Sequence, residues 1–251
     1  MMKITVMGAS GRIGTRLVDN LRQAGIEVIS ASPTFGVNSV TGECLRPAIA
    51  GADAVIDVTN AASFGDDSAL DFFRASTRNL LAASADAGVR HYLALSVVGT
   101  PRLVESDYFR AKMVQENLIR AARRPYTILH STQFFEFISG VIDMGADGDS
   151  FRLPSAYIKP IAADDVAEIL AELAMGAPRN DTLEINGNAQ FGLDEIARMH
   201  LAANEDSRQV ITDDSARYYG VELNDDTLLP LKTARVGALR YEDWLNRSMA
   251  D

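Results

Sequence analysis

The chemistry-bearing residues fall into two groups, and the first is a run of three glycines. Gly8-Ala9-Ser10-Gly11-Arg12-Ile13-Gly14 directly follows the short apolar run Lys3–Met7. Glycine permits a tight turn at the first position, close backbone approach to a ligand at the second, and tight packing of a helix on a strand at the third. A helix beginning here turns unpaired N–H groups and a partial positive charge toward an anion. That is the chemistry of a pyrophosphate cradle. It predicts a dinucleotide cofactor held by Gly8, Ser10, Gly11, Arg12, Ile13 and Gly14.

The choice between NAD and NADP rests on the end of the second strand. An NAD site usually has an acidic residue there, about 20 residues past the glycines, to bind the ribose 2′-hydroxyl. Here the segment reads Ser30-Ala31-Ser32-Pro33, without Asp or Glu. No carboxylate stands there to repel a 2′-phosphate, and Arg12 is placed to pair with one. Ser30 and Ser32 add hydroxyls. NADP(H) is therefore expected in preference to NAD(H).

The second group is Tyr108 and Lys112, four residues apart and so on one face of a helix. An ammonium beside a phenol lowers the phenol's pKa from about 10, which suits proton exchange with a substrate oxygen near neutral pH. Ser96, at the end of the preceding strand, is expected to hydrogen-bond the same oxygen. Tyr108, Lys112 and Ser96 are the candidate catalytic residues.

Strands alternating with helices must position these groups. Lys3–Met7, Ile26–Ser30, Ala52–Val58, His91–Val97 and Tyr126–His130 read as strands. Helices follow the glycine loop and span Leu70–Ala87 and Tyr108–Ala122. This alternation predicts an α/β fold, a Rossmann-type doubly wound parallel sheet with a small C-terminal substrate lobe. Residues 1–132 form the cofactor domain and 133–251 the smaller lobe, part of which returns to the sheet. In the lobe, Phe134–Met144, a segment starting at Asp164, the region of Leu193–Leu201 and Glu242–Met249 read as helices.

Composition narrows the function classes. A formal charge of −10 argues against a nucleic-acid partner. No apolar stretch approaches the about 20 residues of a membrane span, and Ile4–Met7 is too short for a signal peptide. One cysteine, Cys44, makes neither an internal disulfide nor a zinc site, which fits a reducing, cytoplasmic location. No metal is expected. The partner is a small-molecule substrate, and no feature specifies an oligomeric state.

The sequence resembles the short-chain dehydrogenase/reductase superfamily, and within it the atypical, NmrA-like NAD(P)H-binding branch. The resemblance is carried by Gly8–Gly14, 52–57, 76–81, 88–92, Ser96, Tyr108–Lys112 with Glu116, and 162–167. It implies a seven-stranded sheet. It also implies that Lys112 contacts the nicotinamide ribose and that Val58, Thr59 and Asn60 line the ribose or adenine side. Thr132, Gln133 and Phe134 would then sit beside the nicotinamide. His130-Ser131 departs from the Arg-Pro frequent in relatives at that place.

Phe134, Phe135 and Phe137 line either an apolar substrate pocket or the core, and Tyr157 is a further candidate for the pocket. His130 is either a proton relay or a packed strand-end residue. His91 and His200 read as structural, and Asp164-Asp165 as the first turn of a helix. The expected function is an NADPH-dependent reductase of a ketone, quinone or imine with Tyr108 as general acid. The alternative is a non-catalytic NmrA-like sensor of NADP(H) acting through a protein partner. A nucleotide-sugar epimerase is disfavoured because such relatives generally have a larger substrate lobe.

Overall fold

The computed structural model describes residues 1–62 and 67–248. The main sheet is built from β1 (Lys3–Met7), β2 (Glu27–Ala31), β3 (Ala54–Asp57), β4 (His91–Val97), β5 (Tyr126–Ser131), β6 (Thr182–Asn186) and β7 (Arg235–Val236). Hydrogen bonding runs in the order β7-β6-β5-β4-β3-β1-β2. The pairings are parallel, with Met7 opposite both Ala31 and Asp57, and Ala54 opposite His91. The strands are apolar through most of their length because a parallel sheet is covered on both faces. Ile4, Val6, Val55, Ile56 and Leu93 are all fully buried.

The helices are α1 (Arg12–Gln23), α2 (Leu45–Ile49), α3 (Asp67–Asp86), α4 (Asp107–Ala121), α5 (Ile138–Asp143), α6 (Ala163–Met175), α7 (Leu193–Ala203) and α8 (Tyr241–Ser248). Leu17 and Leu21 of α1 are 0% exposed, as the helical spacing after the glycine loop requires. Phe73 of α3 and Ala111 of α4 meet in one apolar cluster, and the Tyr108 side chain packs on its margin. Met249, the last residue of the expected terminal helix, lies outside the described residues.

Two compact units divide the chain. The first comprises Met1–Ser96, Asp107–His130 and Val166–Leu183, and the second Val97–Ser106, Ser131–Asp165 and Glu184–Asp251. The first holds β1 to β3, nearly all of β4 and β5, and the glycine loop. In the second, Gln209–Thr212 pairs in parallel with Ser150–Leu153, and Phe191–Gly192 pairs antiparallel with Tyr157–Ile158. Its aromatic centre is Phe135, whose ring lies 5.1 Å from Tyr241 and 5.8 Å from Trp244. Arg102 ties a loop of this unit together, donating to the carbonyls of Thr227 and Leu229 at 3.0 and 2.6 Å.

Candidate active site

In the strand order, β1 has β2 on one side and β3 on the other, so the chain reverses direction across the sheet at β1. The carboxyl ends of β1 and β3 therefore flank the crevice where open α/β sheets bind ligands. Gly8 leaves β1 with φ +86°, and a Cβ there would stand 2.8 Å from the Val58 carbonyl oxygen. Gly11 N–H donates to the Gly8 carbonyl at 3.0 Å, closing the turn. Gly11 also caps α1 with extended backbone and no side-chain cap hydrogen bond. Gly14 has no room for any side chain. A Cβ there would overlap the Gly8 carbonyl oxygen and lie 2.7 Å from Ala9 Cα. Because the obstruction is backbone, no rotamer change relieves it. Gly14→Ala is expected to destabilise the fold by about 2–4 kcal/mol and to weaken dinucleotide binding at least tenfold. Urea unfolding and calorimetric titration measure the two effects.

The end of β2 meets this loop. Thr34 Oγ1 donates to Ser10 Oγ at 3.4 Å, and Arg22 Nη2 to Ser30 Oγ at the same distance. Ser32 is 2% exposed, yet its hydroxyl has no hydrogen-bond partner among the described residues. A buried orphan hydroxyl is costly and marks a place where a ligand would supply the missing bond. Together with glycines that a Cβ would fill, it makes this chain's residues fit a dinucleotide.

Helix α4 carries Tyr108 and Lys112 one turn apart. The Tyr108 hydroxyl donates to Asn60 Oδ1 at 3.1 Å, and its ring stands edge-on to Phe109 at 5.3 Å. Lys112 is 3% exposed. Its ammonium donates to the Leu95 carbonyl at 2.9 Å and to Gln115 Oε1 at 2.5 Å, with the Phe73 ring centroid 4.6 Å away. Burial lowers its pKa to about 8, against the opposing pull of Asp57 and Glu116.

Ser96 is placed differently from its expected role. Its hydroxyl, 3% exposed, donates to Glu116 Oε1 at 2.6 Å. The same oxygen is 2.8 Å from His130 Nε2, and Glu116 Oε2 accepts from Arg120 at 2.9 Å. The Ser96 proton is thus committed to a buried carboxylate, and a substrate oxygen would have to displace that carboxylate to take it. His130, 6% exposed at its side chain, belongs to the same carboxylate cluster.

In the second unit, Thr132 Oγ1 donates to the Lys159 carbonyl at 2.6 Å. Gln133 is 7% exposed, and neither end of its amide has a partner among the described residues. Phe134 stacks on Phe137 with centroids 5.4 Å apart. Phe137 and Tyr157 are exposed, whereas Phe135 is 1% exposed and packs in the aromatic centre. Phe135 is therefore a core residue rather than part of a pocket lining. Asp164 and Asp165 open α6, as expected, and Asp165 also accepts the Leu239 N–H at 3.0 Å.

The sequence carries no motif that singles out Asp57, Gln115 or Thr34, which the structure brings to the site. Asp57 is 0% exposed. A carboxylate closing the apolar run Ala54-Val55-Ile56 was its only visible signal. Among the described residues no group of three or more His, Cys, Asp or Glu side chains is arranged to hold a metal, and no helix is long and apolar enough to cross a membrane.

The parallel sheet, the glycine turn at its switch point and the helix that starts directly after that turn define a dinucleotide-binding protein of the Rossmann type. The chain belongs to the NAD(P)H-binding family, whose sequence profile matches residues 8–176. None of the curated proteins matches it. Among solved structures it is similar to MoeE5 in complex with UDP-glucose and NAD, with 20% identity, TM-score 0.72 and coverage of 99% of this chain and 100% of that one. A short-chain dehydrogenase/reductase superfamily protein from Agrobacterium tumefaciens with bound NAD has 17% identity and TM-score 0.73, covering 99% and 96%. The Citrobacter sp. triphenylmethane reductase complexed with NADP(H) has 18% identity and TM-score 0.60, covering 84% and 79%. At these identities the likeness is one of fold. A nucleoside-diphosphate-sugar epimerase from Staphylococcus aureus, with 13% identity and TM-score 0.68, is covered over 99% of its own length, which removes chain length as an argument against the epimerases.

Proposed function

We propose that this protein is an NADPH-dependent reductase of a small carbonyl-type substrate. The observation that carries the reading is the Tyr108 hydroxyl, held by Asn60 in the loop after β3 and one helical turn from the buried ammonium of Lys112. When bound, NADPH supplies the hydride. Tyr108 donates its phenolic proton to the developing oxyanion. Lys112 would hold the cofactor's ribose and supply a positive charge one helical turn from Tyr108. Gly8, Gly11 and Gly14 admit the pyrophosphate, with Ser10 and Ile13 shaping the loop and Val58, Thr59 and Asn60 bordering it. Thr132, Gln133 and Phe134 serve the nicotinamide side, and the Gln133 amide, which has no partner among the described residues, supports the assignment. Phe134, Phe137 and Tyr157 offer apolar surface to the substrate. Ser96 supports Glu116 instead of touching substrate.

Purified protein is to be offered NADPH with ketones, quinones, imines and a nucleotide sugar, following loss of the dihydronicotinamide absorbance. Oxidation of NADPH by a carbonyl-type substrate is the expected result. Conversion of the sugar in a parallel sample given NAD+ or NADP+ as hydride acceptor, with no net reduction of the cofactor, would replace the reductase with an epimerase.

One observation favours a second reading. Commitment of the Ser96 hydroxyl to Glu116 removes a hydroxyl that a reductase would use, and a non-catalytic NADP(H) sensor needs none. Tight NADPH binding with no turnover across the panel decides for the sensor.

The preference for NADP rests on the absence of a carboxylate after β2, on Arg12 at the start of α1, and on Ser30 and Ser32. NADPH is expected to bind at least tenfold more tightly than NADH, and Arg12→Ala to remove most of that difference, since charge-assisted contacts contribute about 1.5–3 kcal/mol. Equal affinities in the wild type would refute the assignment.

A further inference from the structure

Asp57 ends β3 fully buried, and its carboxylate accepts four hydrogen bonds. Oδ1 takes the backbone N–H and the hydroxyl of Thr59, at 3.1 and 2.7 Å. Oδ2 takes the Tyr92 hydroxyl at 2.8 Å and Gln115 Nε2 at 3.1 Å. The other end of the Gln115 amide accepts from the Lys112 ammonium at 2.5 Å. One glutamine therefore spans a buried anion and a buried cation. Only this amide orientation satisfies both, because a flipped amide would set N–H against ammonium and oxygen against carboxylate.

We propose that Asp57 and Gln115 are positioning residues for the reaction, forming a carboxylate–amide relay that keeps Lys112 protonated and fixed one turn from Tyr108. The use made of Lys112 rests on the reductase reading, whereas the relay itself is a property of the protein without cofactor.

The physical argument starts from desolvation. An ammonium removed from water tends to lose its proton, and burial is the largest influence on Lys112. The charges that oppose it are Asp57, the stronger of the two, and Glu116. The other groups around it do not replace them. Tyr92, from β4, is neutral, because burial holds its pKa well above the ordinary value. Phe73, from α3, offers only a ring face. Glu116 shares its charge with His130 and Arg120. Tyr108, from α4 itself, brings a hydroxyl. Asp57 is thus the principal counter-charge, and Gln115 fixes the geometry through which it acts.

The same carboxylate has a second reach. Through Thr59 it fixes the turn that sets the Val58 carbonyl beside Gly8 and brings Asn60 to the Tyr108 hydroxyl. Cofactor turn and catalytic helix therefore share one anchor.

The chain contains four lysines, Lys3, Lys112, Lys159 and Lys232, so side-chain NMR of lysine-labelled, cofactor-free protein can follow each one. Lys112→Met assigns the signal. In the wild type, Lys112 is expected to titrate below the other three. Gln115→Met and Asp57→Asn are expected to lower its midpoint by about one pH unit or more, and Gln115→Glu to raise it. The alkaline limb of kcat should move with the midpoint in each variant. If Asp57→Asn fails to fold, the two near-isosteric Gln115 variants decide the matter. A Lys112 midpoint unmoved in both folded Gln115 variants overturns the relay. Absence of turnover in the wild type sinks the reductase reading but leaves the titration, and so the relay, standing or falling by itself.

Discussion

Tyr108→Phe is expected to lower kcat by about 10²–10⁴-fold, or about 3–5 kcal/mol of transition-state stabilisation, while leaving NADPH affinity unchanged. The substitution removes one oxygen. The ring keeps its edge-on contacts with Phe73 and Phe109, at 6.2 and 5.3 Å, so the surrounding packing does not change. The lost hydrogen bond to the exposed Asn60 side chain is worth about 1 kcal/mol at most, too little to unfold the helix. Any large effect on rate therefore belongs to the proton. Rates measured under saturating NADPH and substrate, beside the NADPH dissociation constant of the same variant, separate the two. A variant that turns over as fast as the wild type would remove Tyr108 from the mechanism. Solvent would then have to supply the proton.

The glycine loop and the strands before it were legible because their signals are local. Gly8, Gly11 and Gly14 sit where turn, approach and packing each demand a missing Cβ. Lys3–Met7 and His91–Val97 match their strands end for end. Tyr108 and Lys112 were legible as a pair because four residues make one helical turn. The partners of these side chains could not be read. Ser96 finds Glu116 across 20 residues of chain, and Gln115 finds Asp57 across 58. Such bonds follow from which strands become neighbours, and strand order is not written in periodicity. The phenylalanines make the same point. Phe134, Phe135 and Phe137 are alike in sequence, yet Phe135 is buried against Tyr241 and Trp244 whereas Phe134 is half-buried and Phe137 exposed. The second unit contains strands of two to four residues, such as Tyr157–Ile158 and Ser150–Leu153, too short to carry an alternating pattern. The chain also enters this unit at Val97–Ser106, leaves it after Asp165 and returns at Glu184, a path that no local pattern in the sequence marks.

Acid is expected to remove about 3 kcal/mol of stability through Glu116 alone. Burial of this side chain, 1% exposed, resists ionisation. Hydrogen bonds from His130, Ser96 and Arg120, with the His130 charge, outweigh that resistance and lower the pKa from 4.5 to about 2. The sign follows directly. Between those values the unfolded chain holds a proton on Glu116 that the folded protein does not, so lowering the pH favours unfolding. The contribution is complete above about pH 5 and disappears as the pH falls toward 2. Asp53 and Asp194 are also lowered in the fold and act in the same direction, so the wild-type curve alone does not isolate Glu116. The difference between wild type and Glu116→Gln does. Urea unfolding at a series of pH values should give two stability curves that lie about 3 kcal/mol apart at neutral pH and converge toward pH 2. Parallel curves would mean that the carboxylate titrates alike in both states and that its three partners provide shape without charge stabilisation. Ser96→Ala is the matching control. It removes one neutral donor and leaves His130 and Arg120 in place, so it should cost about 1 kcal/mol and keep most of the acid sensitivity. If Ser96→Ala abolished turnover while preserving that stability profile, its hydroxyl would have to leave Glu116 for the substrate during the reaction, and the serine would return to the catalytic set.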